Sequence, residues 1–141
     1  MSRLLALAAL LTLASATASA QAPEYLQTNT PTPAPFSPVV KVGNTLYLAG
    51  QIGITADIKG IGPETQHALT LIKGVLEKAN SDMDHVVKCT VFLADMKEWA
   101  AMNEVYKTFW KEGHYPARSA FGTTGLARDA RVEIECLAVV K

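Results

Sequence analysis

Apolar and polar positions change rhythm several times along this chain of 141 residues. Val39-Val40-Lys41-Val42 and Thr45-Leu46-Tyr47-Leu48-Ala49 are strand-like runs separated by Gly43-Asn44, a pair that takes positive φ readily, so a β-hairpin is predicted. Gly50-Gln51-Ile52-Gly53 ends the second strand. Asp57 to Gly62 reads as a loop, with Pro63 suited to the first position of a helix. Ala68, Leu71, Ile72, Val75, Leu76 and Ala79 recur at three- and four-residue spacing, which predicts an amphipathic helix over 63–80, with Glu64, Lys73, Glu77 and Lys78 off the apolar stripe. Val86 to Leu93 is β-branched and apolar and predicts a strand buried on at least one face. A second helix fits 97–112, with Trp99, Met102, Val105, Tyr106 and Phe109 on one core-facing stripe and Gly113 ending it. Two further extended runs follow, 117–123 and 130–140.

This order suits an α+β domain over 39–141: one mixed sheet with both helices packed on a single face. In the last strand Arg131, Glu133 and Glu135 alternate with Val132, Ile134 and Cys136, after which Leu137 to Val140 is apolar on both sides. The face away from the helices is either solvated or buried by another subunit, and this last stretch predicts that part of it is covered.

Composition changes the picture at the N-terminus. In residues 1–20 Arg3 is the only charge, Leu4 to Ala14 is apolar all round, and Ala18-Ser19-Ala20 precedes Gln21. These are the three zones of a secretory signal peptide, with cleavage expected after Ala20 and an exported, periplasmic or secreted product. The apolar run is too short for a transmembrane helix, which takes about 20 residues. Residues 21–38 carry Pro23, Pro31, Pro33, Pro35 and Pro38 and read as an extended lead-in.

Charge and cysteine content narrow the function. Thirteen basic and 13 acidic side chains leave no polybasic surface for nucleic acid or a membrane. Two cysteines cannot build a disulfide scaffold or a four-ligand zinc site. Cys89 and Cys136 each sit in an apolar run; two buried free thiols is the preferred expectation, and a disulfide is the alternative in an oxidising compartment. No G-x-S-x-G surrounds Ser37, Ser81 or Ser119, and neither C-x-x-C nor H-E-x-x-H occurs. His67, His85 and His114 are scattered singly and read as surface or locally bonded imidazoles, so neither a metal nor a cofactor is expected.

What remains is a polar set on extended segments, Arg118 and Ser119 after Pro116, and Glu133 in the final strand. The plainer reading makes Arg118 a solvated strand-end cation and Glu133 part of the wet face of a half-buried sheet. The functional reading has the planar guanidinium gripping a substrate carboxylate in a two-bond fork while Glu133 orients or activates a water. Pattern alone does not choose between them.

Pro116-Ala117-Arg118-Ser119, followed by Arg131-Val132-Glu133-Ile134-Glu135-Cys136-Leu137-Ala138-Val139, resembles the closing region of the RidA/YjgF family of imine deaminases. Leu48-Ala49-Gly50-Gln51-Ile52 is similar to the family's S-G-Q-I strand end, and Val87 to Leu93 to its central strand. Met102-Asn103-Glu104-Val105-Tyr106 resembles its second helix, and Pro35-Phe36-Ser37-Pro38 its entry segment. The likeness spans about Pro35 to Lys141.

The resemblance implies a chorismate-mutase-like fold and a homotrimer with ligand clefts between neighbouring subunits. It also implies cofactor-free hydrolysis of 2-imino acids, such as 2-iminopropanoate and 2-iminobutanoate, to 2-oxo acids and ammonia. Carried over by position, Arg118 holds the carboxylate, Glu133 places the attacking water, the Gly50 N–H and the Ala120 carbonyl bracket the reacting end, and Phe36 and Tyr115 line the cleft. Ala120 stands where the family often has cysteine, which removes any thiol chemistry there but keeps the carbonyl. Phe121 to Ala127 is a glycine-rich version of a usual V-x-x-L-P run, so the cleft wall is expected to differ. Two alternatives accompany this reading: a non-catalytic trimer that binds small carboxylates, and RNA cleavage, which the near-neutral charge disfavours.

Overall fold

The computed structural model describes residues 21–27 and 34–141. The expected signal peptide, 1–20, and positions 28–33 of the lead-in lie outside the described residues.

The hairpin forms as its sequence dictates. β2 (Val39–Val42) and β3 (Thr45–Leu48) pair antiparallel, Val42 opposite Thr45, across Gly43 at φ 59°. A strand that composition concealed precedes it. β1 (Glu24–Leu26) lies in the proline-free stretch between Pro23 and Pro31 and pairs with the open edge of β2. After Leu48 the chain bends and resumes as β4 (Gln51–Ile52).

Helix α1 runs over Ile61–Lys78, two residues earlier at each end than the periodicity suggested. Pro63 is its third residue, still within the first turn where a missing N–H costs no helical bond. The start is set by Gly60 at φ 96° and by Glu64, whose Oε1 accepts the Gly60 N–H at 2.9 Å. The stop is a Schellman arrangement: Asn80 is left-handed at φ 57°, and the Ser81 N–H reaches the Leu76 carbonyl at 2.9 Å. β5 (Val86–Leu93) follows, then a 3₁₀ turn over Met96–Glu98, α2 (Trp99–Tyr106) and a second 3₁₀ turn over Lys107–Phe109. The helix expected over 97–112 is thus a short α-helix with tightened ends. β6 (Ala117–Gly122) and β7 (Val132–Val139) complete the order.

The strands form one sheet in the spatial order β1-β2-β3-β7-β5-β6, and β4 pairs with the end of β7 that β3 leaves free. Only β5 and β6, joined through α2, are parallel; the other pairs are antiparallel. Leu69, Ile72 and Leu76 of α1 and Met102 and Tyr106 of α2 bury against Leu46, Val91, Leu93, Val132, Ile134 and Ala138 of the sheet. Both helices therefore cover one face, as expected. The opposite face presents Tyr47, Thr90, Phe92, Ser119, Phe121, Glu135 and Leu137, and Tyr47 and Phe121 are about half exposed.

Glu64, Leu71 and the two cysteines depart from the sequence reading. Glu64 is not on a solvated helix face but 1% exposed, because its carboxylate is fully occupied: Oε1 accepts from Gly60 and Oε2 from the Arg131 N–H at 2.7 Å. Leu71 faces outward; Leu69 takes the core position. Cys89 and Cys136 are not free thiols. They stand directly opposite each other in the antiparallel β5–β7 pair, on the buried face, and form a disulfide. Their separation of 47 residues carried no trace of that register. The chain end is tied back as well: the Ser81 hydroxyl donates to the Val139 carbonyl at 2.6 Å and Lys141 pairs with Asp82 at 2.9 Å. A hydrogen bond from His85, and then Lys141, hold the Asp82 carboxyl down at about 2.

Candidate functional site

Arg118 is the second residue of β6, an edge strand, and lies opposite Cys89 in the parallel pair. Neighbours in register share a face, so Arg118 points toward the helices. There its guanidinium carbon sits 4.6 Å from the ring centre of Tyr106 and 6.0 Å from that of Trp99, both on α2. Arg118 and Tyr106, with Asn103, Lys107, Tyr115 and Pro116, line a cleft of about 370 Å³. Tyr106 is 4% exposed and its hydroxyl has no hydrogen-bond partner among the described residues. Burial pushes that hydroxyl up to about 12, against the opposing pull of the Arg118 charge, so at neutral pH the ring is a neutral phenol.

Glu133 lies on the other face. It is opposite Phe92 in β5 and Ile52 in β4, and it alternates with buried Val132 and Ile134. The bend at Gly50 brings the backbone so close that a β-carbon there would overlap the Glu133 carboxylate. Gly50 and Phe36 line a second cleft, of about 460 Å³, between β4 and α1, whose walls include Pro38, Ile52, Leu71 and Val75. Arg128 stands over it, at φ 60° beside Asp129 at φ 58°, two successive non-glycine residues in left-handed conformation inside the loop where glycine-rich sequence was noted.

The structure thus divides the six candidates. Arg118 and Tyr115 share the cleft at the β6 edge, with Ala120 two residues on along the same strand face and packed against the core. Phe36, Gly50 and Glu133 gather at the β4 edge. Within one protomer Arg118 and Glu133 are on opposite faces of the sheet with β5 between them.

The three histidines have local partners. His67 Nδ1 is 2.8 Å from the Gly53 carbonyl, His85 Nδ1 is 2.7 Å from Asp82, and His114 Nδ1 is 3.2 Å from the Glu112 carbonyl. No cluster of metal-ligating side chains occurs among the described residues. Tyr106 is buried as its place on the stripe predicts, but Trp99, expected to face the core, is 44% exposed because it opens α2 at the cleft side. Their spacing of seven residues puts them on one helix face, which was legible; that this face meets Arg118 was not, because the contact depends on the parallel pairing of β5 and β6.

Residues 27–140 match the family model described as Endoribonuclease L-PSP. The chain belongs to the RidA/YjgF family. Among its relatives, a mouse protein named 2-iminobutanoate/2-iminopropanoate deaminase is 40% identical over 110 residues, covering 74% of this chain and 81% of the mouse protein. A protein of the same name from Dermatophagoides farinae is also 40% identical, over 76% and 87% of the two chains. The crystal structure of yeast Mmf1 superposes with a TM-score of 0.77 at 35% identity, covering 85% of this chain and all of that one. RidA from an Antarctic Psychrobacter gives 0.74 at 32% identity, over 83% and 99%. The RidA/YjgF fold of one mixed sheet and two helices is the fold found here.

Proposed function

We propose that this chain is a cofactor-independent deaminase that hydrolyses 2-imino acids, such as 2-iminopropanoate and 2-iminobutanoate, to 2-oxo acids and ammonia in clefts between the subunits of a homotrimer. The observation that carries the reading is the division of the site. The anion-binding half, with Arg118, is at one edge and face of the protomer, and the water-placing half, with Gly50 and Glu133, is at another. A contact that joins two different patches is head-to-tail, and a rotation of one third of a turn per copy closes such contacts into a three-membered ring. Three copies meeting this way bring Arg118 of one to Glu133 of the next in each cleft. The exposed Tyr47 and Phe121 on the open sheet face are what such an assembly would cover. The names of the mouse and mite relatives support the substrate class.

The chemistry asks little of the protein. An iminium carbon is already electrophilic, so a fixed carboxylate, an aimed water and limited solvent access suffice. Arg118 grips the substrate carboxylate, while the Gly50 N–H and the Ala120 carbonyl bracket the reacting end. Glu133 takes a proton from the water as its oxygen bonds to the imine carbon. Glu133 returns that proton to the carbinolamine nitrogen, the C–N bond breaks to release ammonia, and the hydroxyl gives up its proton to solvent as the carbonyl of the 2-oxo acid forms. No covalent nucleophile is required.

Export is part of the proposal. Residues 1–20 carry the zones of a signal peptide, the family match begins only at residue 27, and a disulfide between Cys89 and Cys136 suits an oxidising compartment.

Purified protein lacking residues 1–20 is expected to accelerate the loss of 2-iminopropanoate generated in situ by an amino-acid oxidase, and Arg118→Ala to lower kcat/KM about a hundredfold, the worth of two charge-assisted hydrogen bonds. A rate no faster than buffer removes the deaminase. Thermal protection by 2-oxo acids without turnover would leave the carboxylate-binding trimer instead.

A further inference from the structure

Arginines in folded proteins are commonly fixed by a carboxylate, which takes up donors and offsets the charge. Arg131 is of that kind: its Nε donates to Glu98 at 2.7 and 2.9 Å. Arg118 is not. Among the described residues it makes no ion pair and no hydrogen bond, although it is half-buried; its close contacts are the faces of Tyr106, at 4.6 Å, and Trp99, at 6.0 Å.

An aromatic face attracts a guanidinium through its quadrupole without taking any N–H donor and without cancelling the charge. Arg118 is therefore aimed while all five donors stay available, whereas a carboxylate at the same place would compete with the ligand. We propose that Tyr106, with Trp99 as a weaker second face, is the positioning residue that orients Arg118 for the substrate carboxylate. This rests on the reading of Arg118 as the carboxylate-binding group.

Two features set Tyr106 apart from a mere core residue. Its ring packs in a tilted pair with Trp110, centres 5.3 Å apart at 49°, which fixes the plane that Arg118 meets. Its buried hydroxyl takes no hydrogen bond among the described residues, so the ring and not a polar contact is what meets Arg118. The ring face, not the hydroxyl, is what this role uses.

The test uses the assembled protein as wild type, Tyr106→Phe, Tyr106→Leu and Trp99→Leu. It reads KM and kcat for 2-iminobutanoate hydrolysis, Kd for 2-oxobutanoate by calorimetry, and thermal unfolding. Tyr106→Leu should raise KM and Kd roughly tenfold with kcat within about threefold, the signature of lost ground-state and transition-state binding alike. Tyr106→Phe should restore both constants and unfold at the same temperature or higher. Trp99→Leu, at a position 44% exposed and so harmless to the core, should raise both about threefold.

Wild-type binding after Tyr106→Leu, with only a lower unfolding temperature, overturns the proposal. So does a Phe variant as weak as the Leu variant, which would give the role to the hydroxyl. If Tyr106→Leu does not fold, unchanged constants in Trp99→Leu overturn the two-ring arrangement. Failure of the deaminase itself reads differently: wild type then binds 2-oxobutanoate without turnover, and the Kd series still decides the role of Tyr106. Wild type that binds no 2-oxobutanoate overturns both.

Discussion

Gly50 shows how one missing side chain makes a site. The volume of a β-carbon there is already filled by the Glu133 carboxylate, whose tip is free to swing. Gly50→Ala is expected to fold and assemble as wild type yet lose at least tenfold in kcat, because Glu133 is pushed off the position from which it aims a water. Steady-state kinetics beside a circular dichroism melt check this; wild-type kcat in the Ala variant would separate Glu133 from the chemistry. At this scale Arg118 and Glu133 were readable as candidates because charges on extended segments are visible in the chain itself, whereas Gly50 entered only through the family resemblance. The burial of Glu64 was not, since its partners are backbone N–H groups from residues 60 and 131.

Elements behaved as their periodicity demands where local rules govern, and shifted where capping or pairing intervened. α1 begins at Ile61 because the Glu64 carboxylate captures the Gly60 N–H, a side-chain interaction that outranks the preference of Pro63 for the first position. β1 exists because β2 offers an unpaired edge, which no property of Glu24-Tyr25-Leu26 alone announces. The disulfide is likewise a product of register, joining neighbouring strands β5 and β7. It closes a loop of 47 residues in sequence, so its reduction should lower unfolding free energy by about 4 kcal/mol on chain-entropy grounds. Denaturant titration with and without reductant measures this, and coincident curves would show that the bond restrains little. Because Cys89 also faces Arg118 across β5–β6, reduced protein tests whether the strand beneath the guanidinium depends on that link.

At the scale of the whole molecule, the proposed trimer draws on the open sheet face. Tyr47 and Phe121 leave apolar surface exposed on a chain near charge balance, a combination that favours association. Light scattering of the purified protein is expected to give three times the protomer mass. Phe121→Asp should shift it toward monomer and abolish turnover, whereas Arg118→Ala should remain trimeric. A monomeric, active wild type would exclude clefts shared between subunits.

The fold class, the helices and most strands were settled by the chain's own periodicity, because they follow from local sterics and side-chain character; residue type and place marked Arg118 and Glu133 as candidates, and the family resemblance added the other site positions. The face on which each residue stands, the joining of Cys89 to Cys136, the ring faces that orient Arg118, and the separation of Arg118 from Glu133 within one protomer came only from the folded molecule. Each depends on strand register between segments far apart along the chain, and register is set by how the whole sheet packs.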